Sequence, residues 1–201
     1  MPHLFISHSS NDDLAAEAMR LHLVQRGWNR KEIFLDFSVE GISAHDKWKV
    51  SLAEANSGAN ALLCLASPDW LASKESQVER RVAETLRDLD RPGSRAVLVA
   101  IFRDLKIDDL CAEGFGEDQI VDLSAAGEST LIRAELPGRS GQPGRHDDVK
   151  LNTQALEKIE RSLRLIGIAP ESFEWRSRDP RRSPYPGMLV VDSSFRIELA
   201  N

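Results

Sequence analysis

The stretch Ala59-Asn60-Ala61-Leu62-Leu63-Cys64-Leu65-Ala66 decides the fold. Ser57-Gly58 precede it and Ser67-Pro68 follow it, so turn residues bound a nearly unbroken apolar run. A run this short, with no solvent face, predicts a strand covered on both sides. Ala96 to Phe102 has the same character. Between the two, the spacing predicts a helix over about 76–89, with Val78, Val82, Leu86 and Leu89 inward and Pro92-Gly93 closing it.

Working outward, His3 to Ser7 and Ile33 to Asp36 read as shorter strands. Asn11 or Asp12 is positioned to cap a helix from about Asp13 to Arg26, with Leu14, Ala18, Leu21 and Leu23 near one face and Gly27 as its stop. Phe37 to His45 reads as a loop, and Asp46 to Asn56 as a helix with Trp48, Leu52 and Ala55 on one stripe. Residues 105–116 fit no single pattern, and Gln119 to Leu123 reads as a fifth strand at the sheet edge. From Gly127 to Asp148 the signal weakens; Gly138, Gly141, Pro143 and Gly144 predict a mobile loop over about 138–148. Leu151 to Leu165 is a last amphipathic helix, carrying Leu151, Ala155, Ile159 and Leu163.

Alternating strands and helices, with strands apolar on both faces, predict an α/β fold: a doubly wound parallel sheet of about five strands with helices on both faces. One domain is expected over residues 1–167. Residues 168–201 change in composition, with Arg176, Arg178, Arg181 and Arg182 among Pro180, Pro184 and Pro186, and read as a linker or the start of a further module.

Composition narrows the function. The 201 residues are 41% hydrophobic and 29% charged, enough for one full core and too apolar for a disordered chain. Lys and Arg number 26 against 32 Asp and Glu, a net charge of −6 that disfavours nucleic acid as a partner. Cys64 and Cys111 lack metal-ligand spacing and read as free thiols in a reducing compartment. The longest clean apolar run falls far below the ~20 residues that span a bilayer, and the N-terminus lacks the pattern of a signal peptide. The expectation is a cytoplasmic protein that binds neither membrane nor metal.

In open doubly wound sheets, ligands bind beyond the carboxyl ends of the strands. That rim holds Ser7-His8-Ser9-Ser10-Asn11-Asp12, Asp36-Phe37, Ser67-Pro68-Asp69-Trp70 and Phe102-Arg103-Asp104. The Ser7–Asp12 turn suits a phosphate or ribose, and equally a plain helix cap. No glycine lies between Met1 and Arg26, which disfavours a dinucleotide fingerprint there. His8 is a candidate general base, or a hydrogen-bonded structural residue. Trp48 and Trp70 are candidates to stack on a ring, or packing residues. Glu79 follows Val78 and so points about 100° away from the expected apolar stripe, near the helix start and hence near the rim. Glu75 lies one turn earlier on the same face; the alternative for Glu79 is an ordinary solvated carboxylate.

Three blocks, in order, resemble the Toll/interleukin-1 receptor (TIR) domain in its bacterial form. His3 to Asp12 resembles its first box. Ile33-Phe34-Leu35-Asp36 with Gly41-Ile42 resembles the second strand and "BB" loop. Leu62 to Ser73 resembles the third strand running into "SPxYLxS". The likeness covers about residues 3–123 and implies the TIR fold, a flavodoxin-like form of the doubly wound sheet.

Many TIR domains hydrolyse NAD+, releasing nicotinamide, with a glutamate in a W-C-x-x-E segment. That segment resembles Glu75-Ser76-Gln77-Val78-Glu79, so the resemblance implies Glu79 as the catalytic carboxylate, while Glu75 and Ser76 replace the Trp and Cys. It implies Ser7, His8, Asp36, Phe37, Trp48, Trp70 and Ser73 as candidates for holding substrate, and Gly41, Ile42 and Ser43 as part of an assembly loop over 37–46. NAD+ enters as substrate rather than bound cofactor, and the product is ADP-ribose or a cyclic isomer.

Ser183-Pro184-Tyr185-Pro186-Gly187-Met188-Leu189 resembles the stretch opening the NTPase module of bacterial STAND-type proteins with an N-terminal TIR domain. The resemblance implies a downstream sensor that clusters the domain, in bacterial immune signalling or anti-phage defence. Two other readings stand beside the enzyme. One is a non-catalytic TIR–TIR interaction module. The other is a receiver-like or nucleoside-processing domain centred on Asp36.

Overall fold

The computed structural model describes residues 3–35, 59–89, 96–116, 120–136 and 143–170, together with 189–191 and 197–199. Asp36, Phe37, Gly41, Ile42, Ser43 and Trp48, with the expected helix over 46–56, lie outside the described residues, as does the Arg/Pro stretch over 171–188.

The two apolar runs form the middle of a parallel sheet. Its strands are β1 (Leu4–Ser7), β2 (Ile33–Leu35), β3 (Ala61–Ala66), β4 (Ala96–Ile101) and β5 (Ile120–Asp122), in spatial order β2-β1-β3-β4-β5. All pairs are parallel, with Ser7 level with Cys64 and Ala66 level with Ile101. Each strand divides its side chains between two cores. Leu4, Ile6, Leu63, Leu65 and Val121 face one side, while Phe5, Leu62, Cys64, Ala66, Val99 and Ile101 face the other. Continuous apolarity was the sign of this two-sided burial, which is worth about 1.5–3 kcal/mol for each large side chain removed from water.

On the first side pack α1 (Asp13–Gln25) through Ala16, Met19 and Leu23, and α5 (Thr153–Leu165) through Leu156, Ile159 and Leu163. Asn152 starts α5 by accepting the Ala155 N–H at 2.9 Å. Buried Glu160 ties α5 to α1, lying 2.8 Å from His22 Nε2 and accepting from Arg26 Nε at 3.1 Å. On the second side, α2 (Pro68–Ala72) contributes Trp70 and α4 (Ile107–Ala112) contributes Leu110, while α3 (Lys74–Leu89) packs against β3 and β4.

Two expectations need correction. The weak stretch contains an antiparallel hairpin of β6 (Ser129–Leu136) and β7 (Arg145–Asn152), so the expected loop over 138–148 is strand from Arg145 onward. Ile132, Ala134, Val149 and Leu151 form its buried face and join the core beside α1, while charged residues alternate outward. The last helix therefore begins at Thr153, after Leu151 has been used as a strand residue.

The second correction concerns the first turns of α3; the side chains of Val82, Leu86 and Leu89, also expected inward, lie outside the described residues. Val78, expected inward, is 59% exposed, whereas Ser76, Glu79 and Arg80 are buried. The first turns of α3 thus bury a polar face. Arg80 satisfies its guanidinium there by donating to Glu113 O at 2.7 Å and Glu84 at 2.8 Å, and by lying 3.8 Å above the Phe115 ring.

By contacts, the chain divides into residues Met1–Pro170 and Glu171–Asn201. The first unit runs three residues past the expected boundary because Ile168 is buried and its carbonyl accepts the Trp28 indole N–H at 3.2 Å. The second unit contains the antiparallel pair β8 (Leu189–Val191) and β9 (Ile197–Leu199).

Candidate functional site

The sheet order reverses on either side of β1, so the segments following β1 and β3 leave in different directions and open a crevice between them. A cavity of about 600 Å³ lies there. His8, Ser9, Ser10 and Asp13 line one wall, and Ser73, Lys74, Glu75, Ser76 and Glu79 line the other.

Strand parity builds the first contact. Ser7 lies two residues after Phe5 and so faces the same side of the sheet, toward α2 and α3. Its hydroxyl donates to Glu79 Oε2 at 2.6 Å, and both residues are buried. The Trp70 indole N–H donates to the same Ser7 oxygen at 3.0 Å. With one acceptor position taken by the indole, the single Ser7 proton is directed to the carboxylate. A charge-assisted bond of this length holds the carboxylate firmly at the cavity wall.

Ser73 starts α3 by accepting the Ser76 N–H at 3.2 Å, which sets the helix entry angle. Glu79 then falls on the second turn, at the cavity rather than along the solvent face. Glu75, one turn earlier, lines the same wall but is exposed, so of the carboxylate pair expected from their spacing only Glu79 is buried. Across the crevice, the His8 ring is 2% exposed, with Nε2 at 3.2 Å from Asp13 Oδ1 and Nδ1 at 3.4 Å from Ile6 O. It is held by hydrogen bonds while still contributing to the wall.

Trp70 does not fit the role of a ring-stacking residue. Its side chain is fully buried, with the ring 6.3 Å from that of Phe115, and it is absent from the cavity wall. The sequence placed it correctly at the rim, but the short helix α2 turns it inward, where its N–H anchors Ser7. Ser7, His8, Ser73 and Glu79 are brought together; Asp36, Phe37, Trp48, Gly41, Ile42 and Ser43 fall outside the described residues.

Sequence reasoning missed a second polar cluster after the carboxyl ends of β1, β3 and β4. Asp12 makes no helix cap with its side chain, contrary to expectation; Ser9 caps the preceding turn by accepting the Asn11 N–H at 3.3 Å. The buried Asp12 carboxylate instead accepts from Arg103 Nε at 2.9 Å and from Ser67 Oγ at 2.5 Å. Arg103 also donates to Asp69 Oδ2 at 2.5 Å. Asp104, at a φ of 54°, turns the chain immediately after Arg103. Hydrogen bonds to Asp12 and Asp69 hold the guanidinium pKa above its ordinary value, and the Arg103 bond holds the Asp69 carboxyl below its own. The Cys64 thiol, level with Ser7, is pushed well up by burial and then by the Glu79 charge. The available signal was only that Asp12, Ser67, Asp69 and Arg103 follow the carboxyl ends of β1, β3 and β4.

Among the described residues no group of His, Cys, Asp and Glu is arranged to hold a metal ion, and no helix is long and apolar enough to cross a membrane.

Residues 4–134 match the family model described as TIR domain. Among solved structures, the chain is similar to the TIR domain of the Toll-related Receptor TRR-2 from the lower metazoan Hydra magnipapillata. That likeness has 10% identity and a TM-score of 0.44, and covers 61% of this chain and 84% of that one. No curated protein matches.

Proposed function

This chain belongs to the TIR-domain family, and on that premise we propose that it cleaves NAD+ to nicotinamide and ADP-ribose, or a cyclic isomer, when copies of the domain assemble. The observation that carries this reading is the Ser7–Glu79 contact at 2.6 Å, a buried carboxylate fixed on the wall of a crevice at the sheet's switch point.

Breaking the bond between ribose C1′ and the nicotinamide nitrogen leaves an oxocarbenium-like sugar. The bond electrons leave with nicotinamide. A carboxylate beside the ribose stabilises the developing positive charge and orients the ring. Water then adds at C1′ and releases a proton, giving ADP-ribose. In this reading Glu79 is that carboxylate. Ser7 orients it, and Ser73 and His8 shape the walls that receive ribose or phosphate. Self-association, through the loop over 37–46, and a role in bacterial immune signalling belong to the same proposal.

A second reading has its own support. Glu75 and Ser76 stand at the cavity where the W-C-x-x-E segment has Trp and Cys, and no Phe, Tyr or Trp lines the cavity among the described residues. The replacement of that Trp and Cys by Glu75 and Ser76 favours a non-catalytic module that pairs with further TIR domains. Chromatographic measurement of nicotinamide from NAD+, with sedimentation of the same samples, separates the two. Assembly with nicotinamide release supports the enzyme; assembly without release, across all protein concentrations, supports the module.

A further inference from the structure

We propose that Arg103, Asp12 and Ser67 are positioning residues that act on the Ser7–Glu79 pair through Trp70. This rests on the reading of Glu79 as the working carboxylate and adds to it the device that holds the pair in place.

The contacts run without a gap from the edge of the site to the carboxylate. Arg103 Nε donates to Asp12 Oδ1 at 2.9 Å, and Ser67 Oγ donates to Asp12 Oδ2 at 2.5 Å. Asp12 is 2% exposed and Ser67 fully buried, so the Ser67 bond is shielded from water, while Arg103 borders solvent. With its proton committed to Asp12, Ser67 Oγ presents its lone pairs inward and accepts the Trp70 backbone N–H at 3.1 Å. That contact is the N-cap of α2, a helix of five residues. So short a helix has little stability of its own, so its cap acts with the core packing of Trp70 to hold its orientation.

Trp70 belongs to this helix, and its indole N–H reaches Ser7 at 3.0 Å, which in turn donates to Glu79 at 2.6 Å. Each hydroxyl in the series has one proton and gives it to a carboxylate: Ser67 to Asp12, and Ser7 to Glu79. Their orientations are therefore fixed by the flanking N–H donors. Arg103 adds a second hold on α2 through Asp69 in its first turn. None of Arg103, Asp12, Ser67 or Trp70 lines the cavity; they reach Glu79 through Ser7, and α2 also meets the cavity wall at Ala72 and at Ser73, whose N–H donates to Trp70 O at 3.2 Å. A loss of position at the carboxylate lowers the rate of the chemical step and leaves substrate binding nearly unchanged.

The test uses the full chain and reads the indole N–H resonances by two-dimensional nitrogen–proton spectroscopy, with Trp70→Phe identifying the Trp70 signal. Ser67→Ala and Arg103→Gln are compared with Ser7→Ala, and Ser67→Thr serves as the conservative rescue. Arg103 is partly exposed, so Arg103→Gln keeps the test decisive if Ser67→Ala fails to fold. The expected result is a displaced Trp70 indole signal in Ser67→Ala and Arg103→Gln, restored in Ser67→Thr. Nicotinamide release is expected to fall about tenfold or more in kcat, with KM within about twofold. An unmoved indole signal in the folded variants overturns the proposal, as does a displaced signal with unchanged kcat or a loss confined to KM. If the wild type releases no nicotinamide, the indole signal alone decides whether the relay exists, and only the NAD+ reading fails.

Discussion

Ser7 and Glu79, 72 residues apart in the chain, are joined by a hydrogen bond of 2.6 Å in the protein interior. One comes from the last position of β1 and the other from the second turn of α3. The bond therefore ties the end of β1 to α3 at the wall of the crevice. It also alters what truncating Glu79 is expected to do. An outward glutamate contributes little to folding, but Glu79 is buried, and its loss strands the Ser7 hydroxyl.

Glu79→Ala is accordingly expected to cost about 1–3 kcal/mol of stability, because a buried donor loses its acceptor. Glu79→Gln keeps the shape and offers a carbonyl oxygen to Ser7, so it is expected to stay near wild type. Chemical denaturation of the two variants side by side checks this, and makes Gln the cleaner substitution for activity.

Ser7→Ala leaves the Trp70 indole N–H buried without its acceptor, again an expected loss of about 1–3 kcal/mol. Adding Trp70→Phe removes the orphaned donor. The double variant is therefore expected to be less destabilised than the sum of the two single changes. A double-mutant cycle by urea unfolding measures this difference; strict additivity would mean that the indole contact carries no coupling.

Val78→Lys tests the phase of α3. A residue 59% exposed tolerates the change within about 0.5 kcal/mol. A core position on an inward stripe would lose several times that by burying a charge. Thermal unfolding distinguishes the two outcomes.

These variants also mark where the sequence was legible. The unbroken runs at Ala61–Ala66 and Ala96–Ile101 could only be covered on both faces, and that fixed a parallel sheet with helices either side. The hairpin was hidden because Ile132 and Ala134 alternate with Arg133 and Glu135, while Val149 and Leu151 flank Lys150. A half-buried ribbon carries only half an apolar signal, and the Gly/Pro residues beside it read as loop. Periodicity also misplaced Val78 in the first turns of α3. Periodicity takes apolar residues as inward, but this helix turns Ser76, Glu79 and Arg80 inward because its first turns border a polar crevice. Glu79 was thus placed at the right end of the right helix, with the wrong neighbours. The Asp12–Arg103 contact joins residues 91 apart, and no local pattern encodes such a pair.

The Arg103 bond holds the Asp69 carboxyl below its ordinary range. A folded pKa depressed in this way contributes stability above the unfolded value, about 3.9, and that contribution is lost as pH falls through the folded value. Asp69→Asn should therefore differ most from wild type above about pH 4 and converge with it in stronger acid. Added salt should narrow the gap, because the pair borders solvent. Urea unfolding from pH 2 to pH 7 at low and high salt reads both effects; a gap that widened in acid would contradict the assignment.

The most direct test of the central claim is nicotinamide release from NAD+ by concentrated, deliberately clustered protein, with wild type beside Glu79→Gln at matched folded fraction. The account predicts release by the wild type, and loss of about a hundredfold or more in the variant, the scale expected when transition-state charge stabilisation is removed. Equal release by both proteins, or none from clustered wild type, would contradict it.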